Sequence, residues 1–109
     1  MKVNLTGGPD GDPAGHGVAT VTVDPDALQV CYNVSTSLTN ASMAHIHKGA
    51  AGVSGPVVVP FANLTDGKTQ GCATVTKEVA AELLAHPADY YVNVHTPQFP
   101  KSAIRGQLK

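Results

Sequence analysis

The most informative stretch of the sequence is Met43-Ala44-His45-Ile46-His47-Lys48, in which apolar residues alternate with histidines. An extended strand sends alternate side chains to opposite faces, so Ala44 and Ile46 point to a core while His45 and His47 share the other face. Residues two apart on a strand lie about 6–7 Å apart at the backbone. Both imidazoles can therefore reach one metal ion, with metal–nitrogen bonds of about 2.0–2.1 Å. The alternative is a pair of ordinary surface histidines on a half-exposed strand.

Segments rich in alternating β-forming residues lie on both sides of this stretch. Residues 16–23 and 28–35 flank a proline-containing turn and predict a hairpin. Further strand segments are residues 3–6, 57–61, 70–75, 89–95 and 103–108. A helix is predicted near residues 77–86, since Thr76 suits an N-cap and Pro87 follows the last turn. The sequence therefore predicts one domain over residues 1–109 with an all-β, mainly antiparallel fold, a Greek-key-like β-sandwich or barrel with one short helix.

Composition excludes several classes of function. A length of 109 residues suits one hydrophobic core, and the formal net charge of −1 gives no electrostatic support for nucleic-acid binding. No apolar run is long enough for a membrane span. The first residues lack the apolar region of a signal peptide, so we expect none in this stretch.

The two cysteines, Cys31 and Cys72, lie far apart, each inside a predicted strand. An isolated pair of this kind fits one disulfide between two strands, and hence an oxidising compartment outside the cytoplasm. Two buried free thiols are the alternative. The spacing does not fit a CxxC zinc or redox motif.

Three further histidines are candidates for the site begun by His45 and His47. His95 ends a strongly alternating strand and points away from its apolar face, which makes it the third candidate ligand. His16 lies between Gly15 and Gly17, where a flexible backbone lets its side chain swing towards a site, so it is the fourth candidate. His86 is expected to have a structural role at the end of the helix, where a cation complements the helix dipole.

Four nitrogen ligands without a thiolate favour copper(II), with zinc as a possible substitute. Arg105, on the last strand, can aim a fixed positive charge at a small anion near such a metal, although an ordinary surface arginine is the alternative. Asn93 and Gln107 are candidate acceptors for imidazole N–H groups.

Four motifs in this order resemble those of the CHRD (chordin) domain family, and the resemblance covers nearly the whole chain. They are Ala44-His45-Ile46-His47, Gly52-Val53-Ser54-Gly55-Pro56-Val57-Val58, Tyr90-Tyr91-Val92-Asn93-Val94-His95-Thr96 and Ile104-Arg105-Gly106-Gln107-Leu108. The resemblance implies a secreted or cell-envelope β domain, of a kind that also occurs as repeats in growth-factor-binding chordin.

The resemblance implies that His45, His47 and His95, which match the histidine motifs, and Arg105, which matches the last motif, are functional residues. His16 and His86 depart from the family pattern, in which small polar residues and Asn, respectively, are usual. The fourth ligand therefore stays open.

The arrangement of candidate residues also resembles the copper centre of copper–zinc superoxide dismutase, without any similarity along the chain. It implies an extracytoplasmic copper protein with superoxide as its substrate, in which the histidines hold copper and Arg105 orients the anion. One alternative is a copper-binding or sequestering protein without catalysis. The other is a metal-free extracellular interaction module of the chordin kind.

Overall fold

Eight strands form one antiparallel sheet that curls into a nearly closed barrel, in a computed structural model that describes residues 1–8 and 11–108. The strands run in the order β5-β4-β7-β8-β1-β2-β3-β6. Their bounds are β1 Lys2–Thr6, β2 His16–Asp24, β3 Gln29–Thr36, β4 Met43–Lys48, β5 Val57–Pro60, β6 Lys68–Thr74, β7 Tyr90–His95 and β8 Ile104–Gln107. The predicted all-β, mainly antiparallel fold is confirmed.

The barrel interior is filled by one side of each strand, as the alternation in the sequence predicted. On β3, Val30, Tyr32 and Val34 are buried and their neighbours are more exposed, while Ala44 and Ile46 of β4 are fully buried. Aliphatic side chains make up most of this core, so its stability comes mainly from apolar burial.

One α-helix, α1 (Lys77–Ala85), is present among the described residues and lies between β6 and β7. The Thr76 side chain accepts a hydrogen bond from the Val79 amide and caps the helix, and Pro87 begins a short 3₁₀ turn directly after its end. Ala80 and Leu83 are buried, and Leu83 belongs to the main core. The predicted helix is therefore present. No helix in the described ranges is long and apolar enough to cross a bilayer.

A disulfide joins β3 to β6, the strand at one end of the sheet. Cys31 and Cys72 are directly opposite each other in the register of the two strands and are bonded. This confirms the predicted pairing and rules out two free thiols.

Two loops, residues 49–56 and 96–103, contact the outer face of β7 and the adjoining parts of β4 and β8. Every residue of β7 is consequently buried, including those that point away from the barrel interior. The candidate histidines lie on this covered outer face, separated from the core by the thickness of the sheet.

Candidate metal centre

Three histidines from two neighbouring strands converge on the outer face. His45 and His47 lie on β4 and His95 on β7, which pairs with β4 in antiparallel register. Each offers one ring nitrogen, and the three nitrogens lie within 4.8 Å of one another. His47 and His95 are both 8% exposed, whereas His45 is half-buried, so the cluster opens to solvent at His45.

Backbone carbonyls fix which nitrogen of two of these rings is free. Nδ1 of His47 lies 2.9 Å from the Gly55 carbonyl oxygen, and Nδ1 of His95 lies 2.8 Å from that of Pro100. A carbonyl only accepts hydrogen bonds, so both Nδ1 atoms carry the proton. Nε2 of each neutral ring therefore keeps its lone pair, which is the form that binds a metal.

The free nitrogens fit a transition-metal ion. Nε2 of His47 is buried and finds no hydrogen-bond partner among the described residues, which is an unfavourable state for a polar atom unless a ligand completes it. Nε2 of His95 lies 3.0 Å from Nδ1 of His45 and accepts a hydrogen bond from it in the metal-free chain, because Nδ1 of His95 donates to Pro100. Two nitrogens bound to one ion at right or tetrahedral angles lie about 2.9–3.4 Å apart, given bonds of about 2.0–2.1 Å.

The environment of His45 and His95 favours their neutral forms. Burial lowers the pKa of His45, and the nearby charges of His95 and His47 lower it further. Burial also lowers the pKa of His95, with the hydrogen bond to Pro100 acting in the opposite direction and His47 reinforcing the effect of burial. Protons therefore compete less with a metal for these nitrogens than they do for a free imidazole.

Tyr91 lies between His47 and Arg105 and contacts both. Its ring is stacked on the His47 ring at a centroid distance of 5.1 Å, and the guanidinium carbon of Arg105 lies 3.5 Å from the Tyr91 ring centre. The Tyr91 hydroxyl accepts a hydrogen bond from the Gly55 amide. The orientation of His47 is thus supported from its face as well as from its Nδ1 atom.

Arg105 anchors the 49–56 loop to β8. Its guanidinium donates to the carbonyls of Val53 and Ala50, at 3.0 and 3.2 Å, and to the side-chain oxygen of Gln107 at 3.0 Å. The side chain is half-buried. It also lines an open cavity of ≈ 580 Å³ together with Lys101.

His16 and His86 lie outside the cluster. His16 is exposed at the start of β2, four strands away from β4 in a sheet whose neighbouring strands are about 4.8 Å apart. His86 is exposed at the C-cap of α1, as its expected structural position requires. The structure thus brings together three of the four candidate ligands.

Asn93 and Gln107 do not accept from the imidazoles, which corrects that expectation. The Asn93 amide donates to the Lys101 carbonyl, and the Gln107 amide donates to backbone carbonyls that include Gly49. The acceptors are instead the carbonyls of Gly55 and Pro100, which sequence reasoning missed. A backbone carbonyl is present at every residue, so residue types alone could not indicate which carbonyls would accept these hydrogen bonds.

The fold and the site together define a class: an antiparallel β-barrel protein with an inter-strand disulfide and a three-histidine cluster suited to a metal ion on its outer face. The chain belongs to the CHRD domain family, whose family model matches residues 1–108. Searches of curated proteins and of solved structures each gave no significant match.

Proposed function

We propose that this domain binds one copper ion through His45, His47 and His95 and uses it to dismute superoxide outside the cytoplasm. The observation that carries the metal site is the buried, unpartnered Nε2 of His47 beside two further imidazole nitrogens. The disulfide supports an oxidising compartment, in which copper(II) is stable.

The donor set favours copper over most other ions. Three neutral imidazoles without a carboxylate or thiolate suit copper and zinc, and copper binds a given nitrogen site more tightly than zinc does. Zinc with three histidines is the alternative loading. Bound copper would supply one-electron chemistry, in which one superoxide is oxidised to dioxygen and a second takes one electron and two protons to give hydrogen peroxide.

Positive charge near the cluster would attract a small anion. His45 is half-buried and leaves the cluster open on one side. Arg105 and Lys101, both cationic, line a cavity to which none of the three histidines contributes. Arg105 lies directly opposite Asn93, which in turn lies opposite His45. In this proposal Arg105 supplies a fixed positive charge that attracts superoxide.

A second candidate function is copper binding without turnover. It is favoured by the three hydrogen bonds of Arg105, which commit its guanidinium to the 49–56 loop and Gln107 rather than to a substrate. The low exposure of His47 and His95 favours it as well, because two of the three ligands are shielded.

Copper loading followed by metal analysis and EPR tests the site. We expect one copper per chain and hyperfine structure from three nitrogens. His47→Ala should weaken copper binding by roughly 100-fold or more, as expected for a lost ligand. His16→Ala is the matched control and should leave both stoichiometry and spectrum unchanged. A wild-type protein that retains neither copper nor zinc would contradict the proposal and favour an interaction module.

A dismutase assay on the copper-loaded protein separates the two functions. Activity should disappear in His47→Ala, and Arg105→Ala should lower the rate roughly three- to tenfold at low salt while copper stays bound. Arg105→Lys keeps the charge but loses the planar contacts, so its rate should fall less. A copper-loaded wild type without activity would leave copper binding as the function.

A further inference from the structure

Met43 lies beside the histidine cluster and has no evident packing role. It starts β4 and points to the same outer face as His45, two residues later. In the register of β4 and β7 it is directly opposite His95. Side chains of directly opposite residues begin about 4.5–5.5 Å apart at their Cβ atoms, so Met43 is an immediate neighbour of two proposed ligands.

The exposure of Met43 is unusual for its type. Methionine normally fills gaps in a core, yet this side chain is 46% exposed. The other methionine, Met1, is packed against the core. A methionine side chain is long and flexible, so from this position an exposed thioether can reach an ion held by His45 and His95.

A sulfur ligand at this position would distinguish between the two oxidation states of copper. A thioether is a soft donor that prefers Cu(I), whereas imidazole nitrogens bind both oxidation states of copper. A sulfur ligand in addition to three imidazoles therefore stabilises the reduced state more than the oxidised state. It also fills a position that three histidines leave open.

We propose that the Met43 thioether sulfur is a fourth copper ligand that binds chiefly in the Cu(I) state. This inference rests on the proposed copper site and adds to it a residue that sets the balance between the two oxidation states. Met43 replaces His16 as the candidate for the fourth position.

The test compares Met43→Leu with the wild type in separate Cu(I) and Cu(II) competition titrations with chelators. Leucine keeps the size and apolar character, and an exposed position tolerates it. We expect the Cu(I) affinity to fall tenfold or more and the Cu(II) affinity to change less than threefold. A tenfold change in the ratio of the two affinities lowers the copper reduction potential by about 59 mV.

Selenium X-ray absorption gives a readout that does not depend on affinity. Selenomethionine-labelled protein loaded with Cu(I) should show copper as a neighbour of selenium. The same signal should be absent from labelled Met43→Leu, which retains only Met1.

Two results would overturn the thioether role while leaving the copper site intact. One is equal weakening, or no weakening, of both oxidation states in Met43→Leu; the other is selenium without a copper neighbour in a fully loaded protein. In either case His47→Ala would still lose copper. A wild type that binds no copper would overturn both proposals.

Discussion

At His47, the two nitrogens of one ring have different surroundings. Nδ1 is held by the Gly55 carbonyl, and Nε2 is buried without a partner in the described part of the chain. Stacking on Tyr91 fixes the plane of the ring. A side chain so constrained loses little conformational freedom when it binds an ion, and this favours tight binding.

Gly55 is the residue whose replacement tests this arrangement without touching a ligand. A Cβ atom there would overlap the Lys48 carbonyl oxygen, so Gly55→Ala must shift the backbone that holds Nδ1 of His47. We expect copper affinity to fall roughly 10–100-fold, as is typical for loss of a group that orients a ligand. Chelator competition measures this.

Ala51→Ser is the control for Gly55→Ala, because Ala51 is an exposed residue of the same loop. It should bind copper as the wild type does. Equal affinity in Gly55→Ala and the wild type would show that the carbonyl contact does not orient the ligand.

The spacing of the histidines predicted part of this site. His45 and His47 share a face because side chains alternate along a strand, and His95 shares it because its own strand alternates as clearly. Alternation did not predict how many strands separate two residues. His16 and Arg105 both pair with Thr6 of β1, and Arg105 also pairs with Asn93, the partner of His45. His16 thus lies on the same cross-strand row as His45 but is too far along it.

Among the elements, β5 and β6 are the two end strands, and each pairs with one neighbour in the described part of the chain. A disulfide ties β6 to its neighbour β3. The cysteines are 41 residues apart, and closing a loop of that size in the unfolded chain is worth about 4 kcal/mol in the chain-entropy model. The disulfide is therefore a large part of the stability of a domain this small.

Replacing the cysteines tests that contribution. The double variant Cys31→Ser with Cys72→Ser should lose roughly 2–4 kcal/mol of unfolding free energy, measured by urea denaturation. Copper binding by the folded fraction should be unchanged, because β6 carries none of the three histidines and is hydrogen-bonded to neither β4 nor β7. A variant as stable as the oxidised wild type would contradict the prediction.

The strands and the helix were largely predictable from the sequence, whereas the pairing of strands that are distant in sequence was not. Hairpins such as β2–β3 follow from local alternation and a turn. The pairing of β4 with β7 joins residues about fifty positions apart and has no local signal, yet it is what brings His95 to His45. Long-range pairing is decided by packing of the whole core, so the sequence pattern left sandwich and barrel both open.

For the whole molecule, the pKa shifts predict how stability depends on pH. The pKa values of His45 and His95 are lowered in the folded, metal-free chain. In the unfolded chain they return to about 6.5, so below that pH the unfolded state binds protons that the folded state excludes. The contribution of these two histidines to the free energy of unfolding of the metal-free protein should therefore be constant above about pH 6.5. Below that pH the free energy of unfolding should fall.

Thermal unfolding between pH 5 and 8 measures this effect. The double variant His45→Gln with His95→Gln should show a weaker decline in melting temperature below pH 6.5. His86→Gln is the control, because that side chain is exposed on α1 and contacts neither ring. A decline as steep in the double variant as in the wild type would assign the pH dependence to other groups.

The inward and outward faces of β4 and β7 carry different kinds of side chain, so the two faces can change independently in evolution. The inward side chains hold the barrel together, and the outward side chains form the histidine cluster under two surface loops. None of the three histidines belongs to the core cluster, so their replacement should cost the interior packing little. We therefore expect relatives with this fold to be able to lose the histidines and still fold.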